Sequence, residues 1–298
     1  MIRAGRQFAG GQLTTESDYR NYFPGLHLNY EPLPKLQFRA SYNTSITRPA
    51  VASLLPFNQV NDDTASVVAG NPDLKPFTSD NFEVAVQKYF EPVGMVEVSV
   101  FLKEIENYTR AFLSPIGSGA DNGFDGQYAG YTLSTPRNIG RARIRGFEVR
   151  YEQQFSFLPG FWRGFGTYAN FSYSQAQGDF GGTFSKATLE NQRPRAANGG
   201  ISYVGHGLQA RLLANWEGRF FRTVSVNGLT DVTADPRFIL DFKAQYRMNK
   251  RYELYLDVQN LTNEYVFTQV RTAGDIKGLK FYSQRMGIIY STGVKVSF

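Results

Sequence analysis

The last nine residues of the chain, Tyr290-Ser291-Thr292-Gly293-Val294-Lys295-Val296-Ser297-Phe298, alternate without a break. Successive side chains on a pleated strand point to opposite faces. Tyr290, Thr292, Val294, Val296 and Phe298 therefore share one face, and Ser291, Gly293, Lys295 and Ser297 share the other. In a water-soluble domain a terminus of this kind frays. In a barrel that spans an outer membrane the apolar face meets lipid, the small polar face meets the lumen, and the closing aromatic lies at the interface. The last strand of a soluble sheet is the competing reading, and the remainder of the chain discriminates between the two.

The same alternation recurs over residues 22–30, 36–43, 81–90, 96–102, 142–151, 165–174, 201–203, 208–216, 238–246 and 252–259, about eleven strands with the last. The phase flips at Gly146, as a bulge would make it do, so Ala142 and Ile144 on one side of it share a face with Phe147, Val149 and Tyr151 on the other. The gaps alternate between short turns (31–35, 91–94, 157–160, 204–207, 248–251) and long polar stretches. Outer-membrane barrels have short periplasmic turns and long extracellular loops, whereas nothing in a β-sandwich forces that rhythm. Tyr30, Tyr89, Phe90, Phe155, Phe157, Phe161, Trp162, Tyr246 and Tyr252 gather near the short turns, where a periplasmic aromatic girdle belongs.

Composition narrows the field further. No run reaches the roughly 20 apolar residues of a membrane helix, while aromatics reach 15%. The net charge of +6 is scattered, which gives nucleic-acid binding no support. The absence of Cys removes disulfides, thiolate chemistry and Cys-ligated metals. His27 and His206 stand in no nucleophile–base motif, so no enzyme and no cofactor is expected. Asp121-Asn122-Gly123-Phe124-Asp125-Gly126 and Asn61-Asp62-Asp63 are acidic, but neither has the spacing of a complete calcium loop, and no metal site is expected. The first residues lack the apolar core of a secretory signal peptide. An odd strand count would also leave residues 1–21 outside the cell, as the remnant of an extracellular loop before a barrel segment at 22–298. Both features point to a piece of a larger barrel.

Four motifs resemble one family. Gly70-Asn71-Pro72-Asp73-Leu74-Lys75-Pro76 with Ser79-Asp80-Asn81-Phe82-Glu83, Thr47-Arg48-Pro49, the stretch Asn138 to Glu148, and Asn260-Leu261-Thr262-Asn263-Glu264 are similar to segments of TonB-dependent outer-membrane receptors. The closing strand, through Tyr290, Val294, Val296 and Phe298, resembles the signal read by the barrel-assembly machinery. The resemblance covers about residues 21–298 and implies an all-β transmembrane antiparallel barrel, here the C-terminal half, with the plug domain and TonB box absent. It implies a multi-pass place in the outer membrane of a Gram-negative cell, contact with its lipid, and TonB as a partner through the missing plug. The ligand implied is a scarce small-molecule nutrient: siderophore, cobalamin or oligosaccharide. The turns at 91–94 and 155–160 resemble a branch associated with carbohydrate uptake.

Substrate or plug contacts are expected from Arg48, from Arg141, Arg143 and Arg145 lining the lumen, and from the loop aromatics Phe124, Tyr128 and Tyr131. The three arginines have an alternative, a structural charge ladder with lumenal carboxylates such as Glu148 or Glu83. Arg39, Glu97, Lys103, Arg211, Asp241, Lys243 and Lys295 are further lumenal charges, and Asn260-Leu261-Thr262-Asn263-Glu264 is expected to fix the rim. Two other functions stay open: a self-contained or oligomeric pore or adhesin-like barrel, and a soluble β-sandwich binding module.

Overall fold

A computed structural model describes residues 2–8, 11–17, 19–138, 140–179, 187–224, 231–265, 267–273 and 276–297. Eleven strands follow one another as antiparallel neighbours in a single sheet. They are β1 (Gly25–Leu33), β2 (Leu36–Thr47), β3 (Phe77–Phe90), β4 (Gly94–Glu106), β5 (Arg141–Gln154) and β6 (Phe165–Asp179). The remainder are β7 (Arg195–Gly205), β8 (Leu208–Glu217), β9 (Arg237–Arg247), β10 (Tyr252–Gln259) and β11 (Ile289–Val296). β1 and β11 are the two edges of the path.

The register lines up the apolar face. Phe38, Val86, Val98, Val149, Phe171, Ala197, Trp216 and Phe238 stand directly opposite one another in one row across eight strands. Among the described residues no second sheet packs on these side chains: Val98 is 45% exposed and Phe238 42%. A contiguous exposed apolar surface of that extent is a lipid-facing one, not the inside of a sandwich. The opposite face is polar. Arg39 pairs with Glu97, Lys243 with Asp257 at 2.9 Å and Lys295 with Glu253 at 3.0 Å. Asn170, Asn198 and Asn215 hydrogen-bond across β6, β7 and β8. Exposed ion pairs of this sort contribute about 0–1 kcal/mol each, so the backbone ladder and lipid contact hold the wall.

One end of the sheet is closed by tight turns. His206 and Gly207 both have positive φ (52° and 77°), the geometry that joins twisted strands with two residues. At the β9–β10 turn the Asn249 carboxamide oxygen accepts from the amides of Arg251 and Tyr252. Phe161, Trp162, Phe165 and Tyr203 form one aromatic knot beside this end, with centroids as close as 4.7 Å. Phe161 and Trp162 of the girdle read from the sequence thus come together, joined by Phe165 and Tyr203, which that reading did not include.

The structure departs from the sequence reading in four places. β1 begins at Gly25, not at residue 22, and runs through Pro32, which an edge strand tolerates because its N–H side has no partner to lose. The weak strand at 201–203 is the end of a strand that begins at Arg195. The long gaps carry sheets of their own: Asn58–Asn61, Ser66–Ala69, Thr132–Asn138 and Thr109–Pro115 form one, and Phe220–Thr223, Val232–Ala234, Phe267–Ala273 and Ile276–Gln284 another. Finally, there is no bulge at Gly146. β5 pairs with β4 and β6 without a register shift from Ala142 to Gln153. Arg141, Arg143 and Arg145 thus share the face of Phe147, Val149 and Tyr151, and as wall residues they point away from the lumen.

Candidate functional site

The long-loop end is where the polar face of the wall meets folded loops. Its first support is a pair of asparagines. The Asn71 side chain donates to the Pro136 carbonyl at 2.9 Å, and its own oxygen accepts from the Asp73 amide at 3.0 Å. Asn138 accepts from the Lys75 amide and donates to the carbonyls of Lys75 and Asn107, each at 2.8 Å. Gly70 beside them has no room for a side chain, because a Cβ would lie 1.9 Å from the Leu55 carbonyl oxygen. These bonds tie the 48–76 segment to the hairpin over 109–138.

That hairpin carries an aromatic group. Phe124 and Tyr128 meet edge-on at 5.7 Å, and Tyr128 and Tyr131 lie 5.6 Å apart. Asn122 folds the loop around them: its oxygen accepts from the amides of Phe124 and Gly126, and its nitrogen donates to the carbonyls of Gly117 and Gln127. Tyr131 donates to the Asp62 carboxylate at 3.1 Å, which holds the phenol proton and raises its pKa above the ordinary 10.0. The three aromatics read from the sequence are brought together here, each half-buried.

A second junction was not read from the sequence. Arg110 donates to the Val224 carbonyl at 3.0 Å and lies 3.5 Å from Glu190, whose carboxylate accepts from the Val224 amide at 2.9 Å. Asn191 donates to the Phe221 carbonyl at 2.7 Å. Burial first, and then the charge of Glu190, raises the pKa of the neighbouring Tyr108. Three loops distant in sequence meet at this node, and no spacing between positions 110, 190 and 224 announces it. Beside it a small cavity of about 70 Å³ is lined by Arg193, Glu217, Arg222, Asp235, Arg237 and Glu264, among others. Glu217 accepts there from Arg193 at 2.9 Å and from Arg237 at 3.0 Å.

The remaining expected site residues are dispersed. Arg48 donates to the Tyr19 hydroxyl at 2.9 Å, and among the described residues no hydrogen bond joins it to the aromatic group. Arg141 pairs with Glu106 at 3.5 Å and Arg143 with Glu104 at 2.6 Å; Arg145 donates twice to Gln175, at 3.1 and 2.9 Å. The ladder is real, but it stands on the outer face and its acidic members are Glu104 and Glu106, not Glu148 or Glu83. Tyr290, Val294 and Val296 are exposed on the outer face of β11, and Phe298 lies outside the described residues. Asn260 is buried at the rim, where its side chain bonds the Glu264 amide and the carbonyls of Glu264 and Gly287. Among the described residues no three His, Asp or Glu side chains converge to hold a metal.

Comparison with known proteins agrees with the barrel wall. A family model described as TonB dependent receptor-like, beta-barrel, matches residues 4–261. The vitamin B12 transporter BtuB of Vibrio vulnificus is 31% identical over 124 residues, 42% of this chain and 16% of that protein. Among solved structures, a variant of the ferric enterobactin receptor PfeA from Pseudomonas aeruginosa superimposes with a TM-score of 0.69 at 18% identity, over 97% of this chain and 40% of that one. The unliganded ferric citrate transporter FecA gives 0.65 at 14% identity, over 96% and 39%. The chain thus spans about two fifths of the length of these receptors.

Proposed function

We propose, from the premise that this chain belongs to the TonB-dependent receptor β-barrel family, that it supplies wall and extracellular binding loops to a receptor for the energised uptake of a scarce nutrient. Its place in the outer membrane follows from the family and from the lipid-facing row across the sheet. The observation that carries the uptake reading is the joining of the loops. Asn71, Asn138, Arg110 and Glu190 bind segments far apart in sequence into one rim above the polar face of the wall. A passive pore needs no such rim, whereas a receptor that must hold a dilute ligand needs pre-organised contacts.

Phe124, Tyr128 and Tyr131 are the stacking surface in this reading, with Arg48 as a cation at the same end. Siderophore, cobalamin and oligosaccharide all present faces that aromatic rings recognise, and relatives are named for cobalamin, ferric enterobactin and ferric citrate. Energy would come from TonB through a plug segment, which fits the lumenal charges Arg39, Glu97, Lys243 and Asp257.

The test is uptake of labelled ferric siderophore, cobalamin and oligosaccharide by cells with and without the gene. Loss of one of the three on deletion, and its collapse on adding a protonophore, is the expected result. Uptake that survives the protonophore would replace this reading with that of a passive pore.

A further inference from the structure

The regular register of β5 moves three arginines to the outside of the barrel, and the pattern there is graded. Along β4, β5, β6 and β7 the outer face passes from apolar to polar. On β4 Leu102 is followed by Glu104, on β5 Phe147 by Arg145, on β6 Tyr173 by Gln175, and on β7 Ala197 by Arg195. Farther out, Arg143 and Arg141 are matched by Glu104 and Glu106. The two arginines at the edge of the apolar band are different. Arg145 shares its row with Tyr42, Phe82 and Leu102, and among the described residues its guanidinium bonds only the neutral Gln175. Arg195 shares its row with Phe147 and Tyr173 and lies over the Tyr173 ring at 5.9 Å. Among the described residues neither has a carboxylate within 4.0 Å, and both are exposed. Tyr173 and Gln175, which stand between them, line a cavity of about 300 Å³ together with Gln177, Gln192 and Arg219.

We infer that Arg145 and Arg195 form a binding site for the phosphate of an outer-leaflet lipid. Two guanidinium groups that lack acidic partners, placed where acyl chains give way to headgroups, meet the charge and geometry of a phosphate monoester. Strand spacing puts β5 and β7 roughly 10 Å apart, so long arginine side chains from both reach one headgroup. Gln175 fixes the Arg145 guanidinium on one edge and leaves the other free to donate. The apolar outer face around and beneath them, with Phe147, Phe171 and Tyr173, takes the acyl chains. The site is independent of the nutrient the loops bind, and it requires only that the apolar face lies in lipid.

The test uses the receptor extracted from outer membranes into detergent micelles, with diphosphorylated lipid A and the same lipid after removal of both phosphates as probes. Wild type is expected to bind the phosphorylated form at least tenfold more tightly. At about fivefold per basic side chain near a charged lipid surface, the double variant Arg145→Gln/Arg195→Gln loses most of that preference. Arg141→Gln, which removes a paired arginine, leaves it within about twofold. Equal binding of the two lipids by wild type, or an undiminished preference in the double variant, overturns the inference. Should the double variant lose its heat-modifiable mobility, the salt dependence of wild type decides. Binding led by phosphate weakens several-fold between low and high salt, and salt-independent binding overturns the site.

Discussion

At the scale of single residues, the motif positions earn their identity through backbone contacts. Asn260 follows β10 with a φ of 56°, is 7% exposed, and makes three side-chain hydrogen bonds to Glu264 and Gly287. Each buried bond contributes about 1 kcal/mol net, and an alanine held at positive φ adds about 1 kcal/mol of strain. Asn260→Ala should therefore lower the stability of the folded barrel by about 4 kcal/mol, read as a reduced urea midpoint in detergent. Asn260→Gly, which is relieved of the strain, should fall between the two. Tyr131 gives a pH signature. Its hydrogen bond to Asp62 raises the folded pKa above 10.0, so the folded chain holds a proton that the unfolded chain has begun to release. The stability from this contact is fully present below pH 10.0 and is lost as pH rises through the higher folded value. An ultraviolet phenolate titration should show Tyr131 and Tyr108 ionising late, and Asp62→Asn should move one of these late tyrosines, Tyr131, back toward its ordinary range.

At the scale of elements, the loops behave as one body if the Arg110–Glu190–Val224 node is what joins them. Glu190→Ala removes the acceptor of the Val224 amide and the partner of Arg110 together. Hydrogen exchange should then accelerate about tenfold at Thr109–Pro115 and Phe220–Thr223 in concert. Acceleration at only one of the two would show that the loops move separately. The same region explains what the sequence did and did not disclose. The wall strands were legible because lipid on one side and water on the other impose a period of two, and the tight turns were legible from their Pro, Gly and Asn. The misreading at Gly146 has a physical cause. Ala142 and Ile105 are buried, and Ile144 half-buried, because Leu189, Tyr108 and Phe77 cover the lumenal face at the loop end. Apolar residues there sit on the inside, so a continuous register looks like a change of phase. Gly146 is small for another reason, since a Cβ would lie 2.0 Å from the Tyr173 carbonyl oxygen and 2.8 Å from the Phe101 ring opposite it. The first half of β7, Arg-Ala-Ala-Asn-Gly-Gly, was illegible because Ala and Gly carry no alternation. Loop strands of three or four residues, such as Val232–Ala234 and Asn58–Asn61, are too short to leave a periodic trace.

At the scale of the whole molecule, strand direction limits how the sheet can close. β1 runs from the loop end toward the first tight turn, and β11 pairs antiparallel with β10 so that Val296 ends beside Tyr252, again at the turn end. The two edges are therefore parallel to each other. Bringing β1 against β11, within one chain or between two copies related by an axis along the barrel, would place a parallel seam in an otherwise antiparallel wall. An odd number of further strands between the edges removes that seam, and outer-membrane barrels of bacterial single chains have even totals. Cross-linking separates these closures. Leu26, Leu28 and Tyr30 face outward on β1, as Val294 does on β11. If the edges were neighbours, one of these positions would lie about 5 Å from Val294 between Cβ atoms, within disulfide reach. Cysteine pairs placed at each of the three with Val294, in a chain that has no cysteine of its own, should give no bond within a chain or between copies on oxidation. Efficient formation of any one would establish self-closure and favour the passive pore. Its absence, in protein that keeps heat-modifiable mobility, leaves the edges to strands of another segment, which is the arrangement the uptake reading requires.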